Sequence, residues 1–284
     1  MEERDKEGLF SKERPTTEWI GMLADENGWT RAAARLALED MGSDAVPELL
    51  EALHREGTPG QHEVLAVLYE LGPEAAQATS TLSAFIKDRK EPECDRFLAL
   101  KTLGRIGAGA KLSVSSLVEV IQDEKEAECI RIQAVKTLRQ IGARSHEVAT
   151  SLVEVLHDRE DCDCVRVLCA RMLREMDRAC RDALPALVSI LRNKHECFGL
   201  RISAAKAVGQ IGPDASEAIP TLIELVGDET EHRGIRILAV KALGHMGPEA
   251  KTALPALRGL SVEEDGLFKK AVRKALTDIQ EAQV

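Results

Sequence analysis

Five arginines stand 35 residues apart, at Arg96, Arg131, Arg166, Arg201 and Arg236. Eight residues before each comes Asp88, Asp123, Asp158, Asn193 or Asp228, and eleven after comes Gly107, Gly142, Asp177, Gly212 or Gly247. A chain that resembles itself at a fixed interval of this size is a tandem array, in which each unit buries its apolar face against the next. The period therefore decides the architecture before local propensities are weighed. Carrying the ruler of small residues back to Gly42 and Gly72, and forward to Gln280, gives about eight repeats over 16–280: 16–42, 43–72, 73–107, 108–142, 143–177, 178–212, 213–247 and 248–280. Residues 1–15, MEERDKEGLFSKERP, are charged and aperiodic, and are expected to form a disordered tail.

Within the repeat 213–247, PDASEAIPTLIELVGD reads as a first helix with Pro220 near its first turn, where a missing N–H costs nothing. ETEHRG is a loop. IRILAVKALGHMG, with apolar residues three and four apart, is a second helix that stops at Gly247. Pro47, Pro185 and Pro255 share the slot of Pro220, and Thr16 or Thr17 is expected to cap the first helix of the chain. No segment reads as a strand.

The pattern D...R..A...LG.IG.......P.L resembles the HEAT-like repeats, in particular the short bacterial type found in phycobilisome lyases. The resemblance covers about 16–280. It implies an all-α fold, a right-handed α-solenoid (superhelix) of about eight helical hairpins. It also implies that the acid and the arginine form a structural ladder between neighbouring repeats: Asp88 with Arg96, Asp123 with Arg131, Asp158 with Arg166, Asn193 with Arg201 and Asp228 with Arg236. Asn193 departs from the pattern and should weaken one rung. In HEAT-like arrays the second helix lines the concave surface, so its outward slots are the expected working face.

Those slots follow from the helical turn of 100° per residue, counting the arginine as slot zero. Slots three, four, seven and ten, as in Ala99, Leu100, Leu103 and Ile106, point into the core. Slots two, five and nine lie opposite. Slot five reads Lys101, Lys136, Arg171, Lys206, Lys241 and Lys274, a row of cations, and slot two adds Leu98, Leu168 and Leu238. Cations beside leucines suit an acidic, partly apolar partner, another protein or an acidic peptide, held in the concave groove. A plain solvated face is the competing reading of the same row, since lysine is a good helix former.

Net charge is -10, which opposes nonspecific attraction to nucleic acid and to anionic membranes. Acids gather in the inter-helix loops KEPECD, EKEAEC, REDCDC, DETEH and EEDG. No apolar run approaches a membrane span, and seven cysteines without a secretion signal fit reduced thiols, so a cytoplasmic monomer is expected. Periodic cysteines (Cys94, Cys129 and Cys164 in one slot, Cys162 and Cys197 in another, then His232) suggest a metal ladder, but stacked helices hold equivalent slots too far apart for one zinc ion. His62 and Glu63 look like one His-Glu pair of deoxyhypusine hydroxylase, also HEAT-like. The same slots elsewhere read Phe97 and Leu98, Ile132 and Gln133, so the cage lacks its other walls. No metal site, cofactor or catalytic residue is expected, and the function read from the chain is a noncatalytic interaction scaffold or adaptor. The alternatives are a phycobilin lyase-type chromophore transfer enzyme and, less favoured, a nucleic-acid-binding HEAT-like protein.

Overall fold

The computed structural model describes residues 14–54, 60–176, 181–260 and 266–281; most of the expected tail, 1–13, and the turn residue Asp177 lie outside them. The chain divides into two compact halves, Met1–Ala143 and Arg144–Val284. The first half contains α1 (Thr16–Met22), α2 (Gly28–Met41), α3 (Val46–His54), α4 (Gln61–Leu71), α5 (Thr79–Phe85), α6 (Glu93–Ile106), α7 (Val114–Gln122) and α8 (Glu128–Ile141). The second contains α9 (His146–His157), α10 (Asp163–Arg174), α11 (Leu184–Arg192), α12 (Phe198–Ile211), α13 (Ile219–Gly227), α14 (Arg233–Met246), α15 (Leu254–Leu260) and α16 (Leu267–Glu281). Within each half, every odd-numbered helix folds back on the even-numbered helix after it, and the even-numbered helices pack on one another in chain order. No strand occurs among the described residues, and the fold is an all-α solenoid.

The repeat turns on its glycine. Gly107 and Gly212 take φ 66° and 67°, a region that side chains with a Cβ avoid, and this ends α6 and α12. The stretch after the glycine is not one helix, as the residues suggested, but a 3-10 segment such as Gly212–Ala218 and then a separate α-helix. Ala215, at φ -93° and ψ 25°, makes the break between them. Pro220 and Pro185 fall in the first turn of α13 and α11, as the missing N–H requires. At the start of the chain α1 begins at Thr16 itself; Pro15 holds the N-cap position, and no side chain caps it.

Slots three, four, seven and ten build the core. Ala239, Val240, Leu243 and Met246 are fully buried, and so are Ala99, Leu100 and Leu103. Each Leu burial contributes about 1.5–3 kcal/mol, so the aliphatic seam dominates stability. Slot two belongs partly to this seam rather than to the outward face: Leu98, Leu168 and Leu238 are half-buried, while Gln133 and Ser203 are buried. The neighbouring second helix packs closely enough to cover them.

The ladder is wired differently from its expected form. Each slot-zero arginine reaches back ten residues to a carbonyl at the end of the preceding helix: Arg96 to Ile86 (2.6 Å), Arg131 to Ile121 (2.8 Å), Arg166 to Leu156 (3.2 Å), Arg201 to Leu191 (2.8 Å) and Arg236 to Val226 (3.1 Å). For Arg96, Arg166 and Arg201 the carboxylate partner is a glutamate 30 residues on, in the next loop. Arg96 Nη1 donates to Glu126 Oε1 at 3.1 Å, Arg166 Nη1 to Glu196 Oε2 at 2.8 Å, and Arg201 Nη1 to Glu231 Oε1 at 2.9 Å. Gln61, in the same slot of a shorter repeat, donates to Glu91 at 3.0 Å. The acids eight residues before are turn caps instead. Asp88, Asp123, Asp158, Asn193 and Asp228 each accept the backbone N–H two residues on, at 2.9 to 3.1 Å. An amide oxygen performs that task as well as a carboxylate, so Asn193 weakens no cap. Asp123 and Asp228 add exposed pairs with Arg89 and Lys194 from the preceding repeat, and with Lys194 and Thr230 as donors the Asp228 carboxyl falls to about 2.

These rungs make stability pH-dependent. Burial by itself would raise the carboxyls of Glu126 and Glu231, but hydrogen bonds and charge from Arg96 and Arg201 outweigh it; the Arg166 hydrogen bond leads at Glu196. All three sit below the ordinary value of 4.5. A carboxyl whose folded-state pKa is depressed contributes stability that is complete above the unfolded value and is withdrawn as pH falls through the folded one. Thermal melts followed by circular dichroism should therefore show a Tm that is level from about pH 7 to about pH 5 and falls below about pH 4.5. In Glu231→Gln the Tm should start lower and its acid limb should be shallower.

Candidate functional site

Packing of the second helices sets the outward face of the second half. Gly209 and Gly244 hold slot eight of α12 and α14, where a Cβ would stand 3.4 Å from Ala242 Cα and 3.1 Å from Ala275 Cα. Where Gly meets Ala the helices approach backbone to backbone and leave troughs bordered by the longer side chains around them. One trough of about 530 Å³ between α14 and α16 is bordered by Lys241, His245, Lys270, Lys274 and Asp278, with Ile237, Ala271 and the exposed Leu267 beside its floor. The next, about 370 Å³ and reaching toward α10, is bordered by Arg174, Lys206, Gln210, Lys241 and His245 over Ala205, Leu238 and Ala242. Lys241 and His245 border both.

Of the expected partner-binding residues, Lys206, Lys241, Lys274 and Leu238 are thus brought to these troughs, while Arg171 is exposed on α10 and Leu168 is half-buried there. Arg171, Lys206, Lys241 and Lys274 are exposed, and none makes an ion pair or hydrogen bond among the described residues. A cation held on a rigid helix without a partner keeps its charge available to a ligand. Arg174, Lys270, His245 and Leu267 also border these troughs and were not foreseen. The glycine at slot eight was the available signal, since Gly104, Gly209 and Gly244 recur there.

In the first half Lys101 of the row is engaged internally. Lys101 Nζ lies 4.8 Å from the centre of the Tyr69 ring, and Arg105 lies 4.6 Å from it while also pairing with Glu70 at 3.0 Å. Stacking on the ring face uses the same charge that a ligand would need. Lys136 is exposed on α8, and Leu98 is half-buried on α6.

Two of the periodic cysteines and the histidine of their slot have a structural use. Cys162 Sγ accepts from Cys164 N at 3.3 Å and Cys197 Sγ from Leu200 N at 3.4 Å, and His232 Nδ1 accepts from Gly234 N at 3.0 Å. All three are N-caps of second helices, a position that satisfies an otherwise orphaned N–H. Phe198 packs its ring on His232, 4.2 Å between centroids.

A family model of HEAT repeats matches residues 159–233 and 185–277, one of the PBS lyase HEAT-like repeat matches 30–55, and one of the vitellogenin TPR domain matches 76–179. No curated protein matches the chain. Among solved structures, YibA of Escherichia coli is similar at 18% identity and TM-score 0.55, over 99% of this chain and 98% of that one. The karyopherin Kap121p, bound to the extreme C-terminus of the protein phosphatase Cdc14p, is similar at 16% identity and TM-score 0.61, over 93% of this chain and 34% of its own length. A chain in a homology model of the AP-3 complex reaches TM-score 0.66 at 12% identity, over 94% of this chain and 50% of that one. Such likenesses are of fold. No helix among the described residues is long and apolar enough to cross a membrane.

Proposed function

This chain is a HEAT-like repeat protein whose repeats resemble those of phycobilisome lyases, and from that premise we propose that it is a noncatalytic scaffold or adaptor. It holds an acidic, partly apolar segment of another protein across the paired troughs of α12, α14 and α16. The observation that carries this reading is the set of unpaired cations, Lys206, Lys241 and Lys274, set beside Ala, Ile and Leu surface. Extended peptide advances about 3.3 Å per residue and packed helices lie about 8–10 Å apart, so an acid at every third residue meets one lysine per helix. Leucines between the acids would supply the apolar energy and the charges the register and on-rate. A karyopherin of this fold holds the C-terminal segment of a phosphatase, which lends the mode a precedent.

The test is anisotropy titration with a synthetic peptide that repeats Leu-Glu-Glu, alongside capture from extract of the native cell. The Lys206→Glu, Lys241→Glu, Lys274→Glu triple variant should keep its helicity, weaken the peptide by roughly a hundredfold and lose the captured partner. Added salt should weaken the wild type in the same direction. Capture and titration unchanged by the triple variant would discard this surface. A preparation that absorbs visible light or transfers bilin to an apoprotein would establish the lyase reading instead.

A further inference from the structure

Asp95 breaks the repeat where a carboxylate costs most. Its slot, one before the arginine, holds Ile130, Val165, Leu200 and Ile235 in other repeats, all fully buried. Asp95 is 5% exposed. An ionised carboxylate in such a place must be compensated. His62 on α4 breaks its own slot too, where other repeats carry Phe97, Ile132, Val167, Ile202 and Ile237. The two departures face each other across consecutive second helices: His62 Nδ1 lies 2.6 Å from Asp95 Oδ1, and Cys94 Sγ lies 3.5 Å from the same oxygen. One nitrogen, one sulfur and one oxygen donor lie within 4.8 Å of one another.

We propose that His62, Cys94 and Asp95 bind a divalent transition-metal ion of the zinc class, with a fourth position open to solvent. Bonds of about 2.0–2.3 Å in tetrahedral geometry place donor atoms about 3.3–3.7 Å apart. The Cys94 to Asp95 edge already has that length, and the ion enters by parting His62 from Asp95 by about 1 Å. His62 and Cys94 are exposed and free to turn, whereas buried Asp95 is the fixed point. A thiolate with an imidazole selects zinc over calcium or magnesium, which take oxygen donors. Two anionic ligands match the dication, which leaves the site neutral at the positive ends of α4 and α6 where it would sit. On binding, the thiol proton leaves to solvent and His62 carries its remaining proton on Nε2. The ion then ties α4 to α6, two consecutive repeats, and leaves one position for water or an anionic group.

The experiment is zinc titration of the full-length, untagged, reduced protein in competition with a chromophoric chelator, with cobalt substitution as a second readout. One equivalent should bind, and the cobalt form should show a thiolate-to-metal charge-transfer band. His62→Ala and Cys94→Ser should each weaken binding by at least about tenfold, and Cys94→Ser should remove the band. Cys129→Ser, altering a thiol that donates instead to Glu93 at 2.6 Å, should change neither. Both ligand positions are exposed, so circular dichroism of the variants should match the wild type. Absence of stoichiometric zinc, or an affinity that His62→Ala and Cys94→Ser leave unchanged, would overturn the site.

Discussion

Replacing Arg201 by alanine should remove about 3–5 kcal/mol from the stability of the second half. Arg201 is 5% exposed, and its guanidinium binds the Leu191 carbonyl at 2.8 Å and Glu231 at 2.9 and 2.6 Å. Truncation leaves a buried carbonyl and a buried carboxylate behind. An orphaned charge of this kind costs far more than the intact pair contributes, because the desolvation has already been incurred. Differential scanning calorimetry should show the Tm of the variant reduced by about 10 °C. Arg201→Ala with Glu231→Ala should recover part of the loss, since the second change removes the stranded charge. A shift of about 2 °C or less in the single variant would mean that the pair behaves as a surface ion pair, and the rung would lose its structural role.

A loss of similar size is expected from Phe268→Ala, about 3–5 kcal/mol. Counting 30 residues from Arg236 reaches Gly266, where the other rungs have an acid. The last helix supplies a different contact: Phe268 is fully buried, with the Arg236 guanidinium 4.8 Å from its ring centre. Alanine leaves a cavity beneath that guanidinium and removes the ring face that receives it. Phe268→Leu separates the two effects, keeping most of the packing and losing about 1 kcal/mol of cation attraction together with a small misfit. Chemical denaturation of both variants should rank alanine well below leucine. Equal losses would assign the whole effect to the ring's cation contact.

The period alone reveals the hairpins, their stops and their core, because Gly107, Gly212 and the slots of Leu103 and Leu243 are dictated by backbone geometry and burial. The ladder that the resemblance implies pairs the arginine with a different acid for a physical reason. Asp88 and its counterparts share the 35-residue interval with Arg96, but so do Glu91, Glu126, Glu196 and Glu231, hidden among loop acids that read as solvated charge. Only three-dimensional packing shows which acid the guanidinium can reach. The cationic row was legible as a row, whereas its division into engaged Lys101 and unpartnered Lys206, Lys241 and Lys274 depended on Tyr69, which stands in another repeat. The His62 and Asp95 pair was visible as two broken slots, yet nothing short of contact distances joins residues 33 apart.

Arg96, Arg166 and Arg201 each tie their own repeat through a carbonyl and the following repeat through a carboxylate, always forward. Such wiring has a reading frame. An insertion or deletion of one whole period within either half carries a donor and an acceptor together, so the guanidinium of such a rung still meets an acid thirty residues on. A change of any other length strands a buried charge on each side of the junction. Duplication in whole periods is thereby the path of least resistance by which an array of this kind gains or loses length, and the surviving rungs keep the troughs of the second helices in phase.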